Sequence, residues 1–195
     1  MNSSFTFKNN SGRIEMILGC MFSGKSTELL RRLNICAEMN LRVLYVNSHL
    51  DDRTSDSFST HNPTMTSVGK IQACKIQTLD EINPEEFDVL GIDEAQFITP
   101  LKDPVIDLVE NHNKKVIISG LDGDFERQEF GEILRLIPMC DKVDKLYPFC
   151  LTCLEKTGNV KDALFSKRVG GSSEQISVGA KESYRPVCRK CYQKS

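Results

Sequence analysis

The sequence predicts an α/β protein, a parallel sheet flanked by helices, with a small cysteine-bearing subdomain at its C-terminal end. Three observations carry that reading. Short apolar runs alternate with segments of helical spacing through residue 146. A glycine-bearing octapeptide, GCMFSGKS, stands between the first run and the first helix. Two Cys-x-x-Cys pairs bracket the final stretch, where the composition turns rich in Gly, Ser and Lys.

The elements follow in order. RIEMILG (13–19) reads as a buried strand ending in glycine, and 23–40 as a helix with Leu29, Leu30, Leu33 and Ala37 on one face. LRVLYVN (41–47) is a nearly continuous apolar run, as expected of a strand covered on both faces. Residues 48–69 are polar and too long for an ordinary connection, which points to a functional lid or a mobile segment. KIQACKI is a third strand and TLDEINPEEF a short helix or turn. DVLGID (88–93) is a central strand, 103–113 a helix, and KKVIISG (114–120) the next strand. A loop and a short helix occupy 121–138. The two predicted units are 12–146 and 147–192.

The bulk numbers suit one ordinary globular domain with an appendage: 195 residues, 39% hydrophobic and 27% charged. A net charge of −2 argues against a dedicated nucleic-acid binder. No apolar stretch approaches the roughly 20 residues of a membrane span. The polar opening MNSSFTFKNNSG has no apolar signal core, so a cytoplasmic, reducing location is expected, with the eight cysteines as thiols or metal ligands.

GCMFSGKS (19–26) fits G-x-x-x-x-G-K-[ST], the P-loop pattern, in the strand-to-helix context its chemistry requires. Successive backbone N–H groups converge on phosphate oxygens beside a helix N-terminus. Lys25 supplies charge to the β- and γ-phosphates, and the Ser26 hydroxyl suits magnesium. Asp93, closing an apolar strand, is the natural second magnesium ligand; strand-end carboxylates also cap turns, but less tellingly where a P-loop is present. Glu94 has two uses at this stage. In ATP-driven motors such an acid orients a water, and in small kinases it takes a proton from a substrate hydroxyl.

Cys150, Cys153, Cys188 and Cys191 have the paired spacing that brings four thiolates to one tetrahedral zinc, a closed structural site. A redox Cys-x-x-Cys or four buried thiols explain the double pairing less well. Cys36, Cys74 and Cys140 read as core or incidental. So does Cys20, although its place in the P-loop also suggests an oxidation-sensitive thiol. His49, His61 and His112 read as surface residues. Arg53 is either a solvated loop charge or a group reaching a transferring phosphoryl. Phe97, Phe125 and Phe130 follow strand ends, where aromatics stack on a base or pack the core.

Taken together, GCMFSGKSTELLRRL, GIDEAQF, GLDGDFERQEFGEILRLIP, SKR and SYRPVCRKCY closely resemble the cellular, cytosolic type of thymidine kinase, a family also found in bacteria and large DNA viruses. The resemblance runs from about Gly12 to Tyr192. It implies a P-loop (RecA-like) parallel sheet with a small C-terminal zinc-binding subdomain. It also implies transfer of the γ-phosphoryl of ATP to the 5′-hydroxyl of thymidine, with deoxyuridine as a second acceptor. On this resemblance Glu94 is the general base. Gly19, Cys20, Met21, Phe22, Ser23, Gly24, Lys25 and Ser26 bind phosphates, with Asp51, Asp52, Arg53, Asp93, Glu94, Ala95 and Gln96 about the nucleotide. Ser26 and Asp93 take Mg2+. Met21, Phe97, Leu121, Phe125 and Phe130 wall the thymine, and Ser166 stands near its methyl group. Gln175, Ile176, Ser177, Val178 and Gly179, with Tyr184, form the arm that holds the base edge. A homotetramer, feedback by dTTP and no nucleic-acid or membrane partner are implied as well.

The sequence departs from the family at several points. Cys20 stands where Pro is usual, DEAQ replaces DEGQ, Ala180 replaces the second of two glycines, and Ser166 replaces the commoner Thr. The sequence ends four residues after Cys191, without the long tail of animal members. The rival class is a nucleic-acid-dependent ATPase, disfavoured by a single P-loop lobe and the lack of a basic face. A non-catalytic nucleotide-binding regulator is the third.

Overall fold

In the computed structural model, residues 11–49, 71–170 and 183–193 are described. Asp51, Asp52, Arg53, His61, Gln175, Ile176, Ser177, Val178, Gly179 and Ala180 lie outside the described residues, as does most of the predicted 48–69 loop. Among those described, six strands form one parallel sheet in the order β3-β2-β4-β5-β1-β6. They are β1 (Arg13–Leu18), β2 (Val43–Ser48), β3 (Ile71–Ile76), β4 (Val89–Ile92), β5 (Lys115–Gly120) and β6 (Lys142–Lys145). Every pairing in that sheet is parallel.

The strands are apolar on both faces because helices cover both. One face buries Ile17, Tyr45, Val89 and Ile117 against Leu29, Leu30 and Leu33 of α1 (Lys25–Glu38). The other buries Met16, Leu90, Ile92 and Ile118 against Val105 and Leu108 of α2 (Lys102–Glu110) and the 3-10 turn Ile133–Met139. Consecutive residues of one strand thus serve different cores, which is why these runs show no polar alternation.

The C-terminal segment holds α3 (Leu151–Thr157), an antiparallel pair β7 (Phe165–Arg168) and β8 (Tyr184–Val187), and α4 (Arg189–Gln193). Reading the sequence missed β6, β7 and β8. The short helix or turn expected at 78–87 is two 3-10 turns, Leu79–Glu81 and Pro84–Glu86. Among the described residues no helix is long and apolar enough to cross a membrane.

Candidate active site

The strand order puts β5 between the strand leading into the P-loop and the strand ending at Asp93. Both functional segments therefore leave the sheet at the C-terminal ends of parallel strands one strand apart, the edge where such folds bind ligands. Gly19 has φ 150°, and a Cβ there would lie 2.5 Å from the Leu146 carbonyl oxygen, so no side chain fits. The helix that follows begins at Gly24 with no side-chain cap, leaving its first N–H groups open to an anion. Lys25 is buried and donates from Nζ to the Cys20 carbonyl oxygen at 3.0 Å, so its charge is folded back over the loop. The Ser23 hydroxyl is buried without a hydrogen-bond partner. An orphaned buried hydroxyl in this loop fits a phosphate oxygen.

Asp93 is 1% exposed. Its Oδ2 accepts from the Tyr45 hydroxyl at 2.9 Å, and its Oδ1 accepts from the Ser119 hydroxyl and, at 3.0 Å, from the Glu94 N–H. The Ser26 hydroxyl also acts on it, favouring the charged carboxylate. Burial, and next the charge of Glu94, push the Asp93 carboxyl above its usual range, while the three hydroxyls act the other way. A carboxylate so buried, beside a P-loop serine, is a donor set suited to a hard divalent cation.

Glu94 sits in the left-handed region, φ 47° and ψ 44°, a conformation that costs a non-glycine residue energy. It is 7% exposed. Gln96 Nε2 donates to its Oε2 at 2.6 Å, and Gln96 Oε1 accepts from the Leu121 N–H at 3.1 Å. Gln96 also marks the far end of that loop, for a Cβ on Gly131 would lie 2.5 Å from the Gln96 carbonyl oxygen. The loop carrying Leu121, Phe125 and Phe130 is thus gathered at both ends around the residue that holds Glu94. Ala95 is fully buried within the 3-10 turn Ala95–Phe97.

The expected apolar walls fall into three groups. Phe97 and Phe130 meet edge-on, with ring centroids 5.3 Å apart. Phe125 lies under the Arg168 guanidinium, 4.0 Å from its centroid, and Arg168 donates from Nε to the Tyr184 hydroxyl at 3.0 Å. The Met21 N–H donates to Ser166 Oγ at 2.9 Å, so Ser166 touches the P-loop backbone itself. Phe22, at 45% exposed, lines an open groove of about 870 Å³ with Pro148, Phe149, Leu154, Tyr184 and Pro186.

The Sγ atoms of Cys150, Cys153, Cys188 and Cys191 all lie within 4.8 Å of one another, with Cys153 3.7 Å from Cys188 and 3.6 Å from Cys191. Four thiolates about 2.3 Å from a tetrahedral zinc stand about 3.8 Å apart, so the spacing fits the ion. Burial alone would raise Cys188. Hydrogen bonds from the Cys191 N–H and the neighbouring thiols instead hold it down at about 7.

Cys20 packs with Cys150, Ala163 and Val187 and is 2% exposed. Burial pushes its thiol up to about 11, which corrects the suggestion of an oxidation-sensitive group, since reactivity requires an accessible thiolate. His49 is exposed, and His112 pairs with Asp107 on the surface, as expected.

Sequence reasoning missed Tyr45, Ser119, Arg168 and Tyr192. A serine ending the apolar run VIIS is the one local signal among them. The rest depend on which strands become neighbours.

A family profile described as thymidine kinase matches residues 12–192. A thymidine kinase of Vaccinia virus (strain Ankara) is 37% identical over 184 residues, 94% of this chain and 98% of that one. That of Yaba monkey tumor virus (strain VR587) is 39% identical over 186 residues, 94% and 96% of the two chains. The cytosolic thymidine kinase of Bos taurus is 36% identical over 181 residues, 93% and 72%. Domain III of the Thermotoga maritima replication initiation protein DnaA superposes with a TM-score of 0.43 at 21% identity, over 73% of this chain and 57% of that one, too loosely to carry an argument. A match running from before the P-loop to beyond the last cysteine, in viral relatives covered almost end to end, makes this chain a member of the thymidine kinase family.

Proposed function

We propose that this chain transfers the γ-phosphoryl group of ATP to the 5′-hydroxyl of thymidine, and of deoxyuridine, giving the 5′-monophosphate for nucleotide salvage. Thymidine as substrate follows from family membership. The assignment of roles rests on one observation: a buried carboxylate pair whose first member is taken up by the Tyr45 and Ser119 hydroxyls and whose second is held by the Gln96 amide.

In this reading Gly19 through Ser26 cradle the phosphates, with Lys25 balancing their charge. Ser26 and Asp93 would hold Mg2+, which neutralises charge on the β- and γ-oxygens. Glu94 accepts the proton of the 5′-hydroxyl as the new bond forms; a base is needed only then, and a carboxylate suffices. Positioning does most of the remaining work of phosphoryl transfer. Phe97, Leu121, Phe125 and Phe130 wall the base, with Met21 and Ser166 beside them. Ala95 and Gln96 support Glu94. Asp51, Asp52 and Arg53 approach the phosphates. Gln175, Ile176, Ser177, Val178 and Gly179, with Tyr184, close over the base and exclude water, which would otherwise take the phosphoryl group.

The same reading makes zinc at the four cysteines structural, divides the chain into units 12–146 and 147–192, and extends to a cytoplasmic homotetramer inhibited by dTTP.

Incubation of the pure protein with ATP, Mg2+ and a panel of nucleosides, with and without DNA, tests it. Thymidine monophosphate formed without DNA is the expected result. ATP hydrolysis that needs DNA would overturn the kinase reading in favour of a motor, and no turnover at all would favour a nucleotide-binding regulator.

A further inference from the structure

The residue that follows the last zinc-type cysteine reaches across to the loop carrying Phe125. Tyr192 Oη donates to the Phe125 carbonyl oxygen at 2.8 Å, bridging 67 positions of sequence. Its ring is fixed on two other sides. The Phe165 ring of β7 lies 5.2 Å from it at 57°, and the Arg127 guanidinium stands over it at 4.5 Å. Its own N–H donates to the Cys188 carbonyl oxygen at 2.9 Å, so its backbone belongs to the four-cysteine knuckle.

The loop it grips also reaches β7 through Arg127, whose guanidinium stands 5.7 Å from the Phe165 ring centroid. Asp124 gathers the tip by accepting from the Glu126 and Gln128 N–H groups, both at 2.8 Å, but these bonds are internal to the loop. The Arg168 guanidinium, also from the C-terminal unit, covers the Phe125 ring. The ring is thus pressed by β7 from one side, while its backbone is tied to the cysteine knuckle by a single hydroxyl.

We infer that Tyr192 is a positioning residue for the acceptor nucleoside, carrying the geometry of the four-cysteine site to the Phe125 wall through one hydrogen bond. The inference rests on the assignment of Phe125 to the thymine wall made above. It gives the C-terminal knuckle a role in substrate affinity beyond stability. The Tyr192 hydroxyl meets the Phe125 carbonyl oxygen and not the Asp93–Glu94 pair, so its removal should weigh on one substrate only.

Tyr192→Phe removes the hydroxyl and keeps the ring, the Phe165 and Arg127 contacts and all four cysteines. The expected result is a thymidine KM raised roughly three- to tenfold, the worth of one hydrogen bond. The KM for ATP, kcat and the zinc content should stay within about twofold of the parent, too little for a lost hydrogen bond. Phe125→Ala should raise the thymidine KM by itself, and adding Tyr192→Phe to it should raise it little further, because the wall being positioned is gone.

An unchanged thymidine KM in Tyr192→Phe, or equal rises for both substrates, would overturn the inference while leaving Phe125→Ala to report on the wall. If Phe125→Ala leaves the thymidine KM unchanged, the wall assignment falls and this inference with it. If both single variants raise it but their effects multiply in the double variant, Tyr192 acts elsewhere than through Phe125.

Discussion

Glu94 is held in a left-handed backbone conformation at the end of β4, with Asp93 on one side and the Gln96 amide on the other. Amidation at this position keeps the shape and removes the basicity. Glu94→Gln is therefore expected to bind ATP with near-parental affinity and to lose at least about a hundredfold in kcat, the range general-base removal commonly costs. Calorimetric titration and single-turnover transfer to thymidine measure the two; turnover near the parental rate would show that Glu94 is not the base. Gly131 tests the same machinery from behind. Its φ of 64° and the 2.5 Å approach of a would-be Cβ to the Gln96 carbonyl oxygen both exclude a side chain. Gly131→Ala should lower unfolding stability by about 1–2 kcal/mol or more for the backbone strain alone. It should also lower kcat by displacing the residue that holds Glu94, as denaturant melts and steady-state rates would show.

Helix α1 is tied to the sheet by charge as well as by leucines. Arg32 bonds Glu28 on its own helix, Glu15 of β1 and Asp144 of β6, at 2.8, 3.1 and 2.6 Å. The hydrogen bond from Arg31, and against burial that from Arg32, hold Glu28 down at about 2, from an ordinary value of 4.5. Asp144 is lowered by Lys142 and Arg32. Carboxyls depressed in the folded state stabilise it fully above their unfolded values, and that contribution is lost as pH falls from about 4.5 towards 2. Melting temperature should thus fall across that window, and Arg32→Met should flatten the fall; an unaltered slope would place the acid sensitivity elsewhere.

Legibility at this scale followed from locality. β1, β2, β4, β5 and α1 were readable because each carries its apolar pattern within one stretch. β6 was not: its four residues, KVDK, are a largely exposed edge whose membership depends on pairing with β1. β7 and β8 were missed for the same reason, being four residues each with mixed FSKR and YRPV patterns. The P-loop, the acidic pair and the cysteines declare themselves by spacing, whereas Tyr45 and Ser119 join Asp93 only once β2 and β5 flank β4.

Across the whole molecule, the C-terminal segment touches the P-loop directly. Cys20 lies in a core shared with Cys150, Ala163 and Val187, and Ser166 takes the Met21 N–H. Metal analysis should find one zinc per chain. Its removal by chelation should weaken ATP binding along with thymidine binding, as equilibrium titration of each would record. Protein free of zinc as isolated would dismiss the structural ion, and undiminished ATP affinity after stripping would uncouple the two units.

The Cys20 and Ser166 contacts bear on how this chain could be cut or recombined. A fragment ending at residue 146 would keep every residue of the GCMFSGKS signature and lose the floor on which that signature rests. Transplanting the C-terminal segment from a relative would likewise change what lies under Cys20, where the resemblance leads one to expect proline. Residues at 20, 150, 163, 166 and 187 are therefore expected to be exchanged as a set, a seam of heredity that runs across the break in the chain's texture at residue 147.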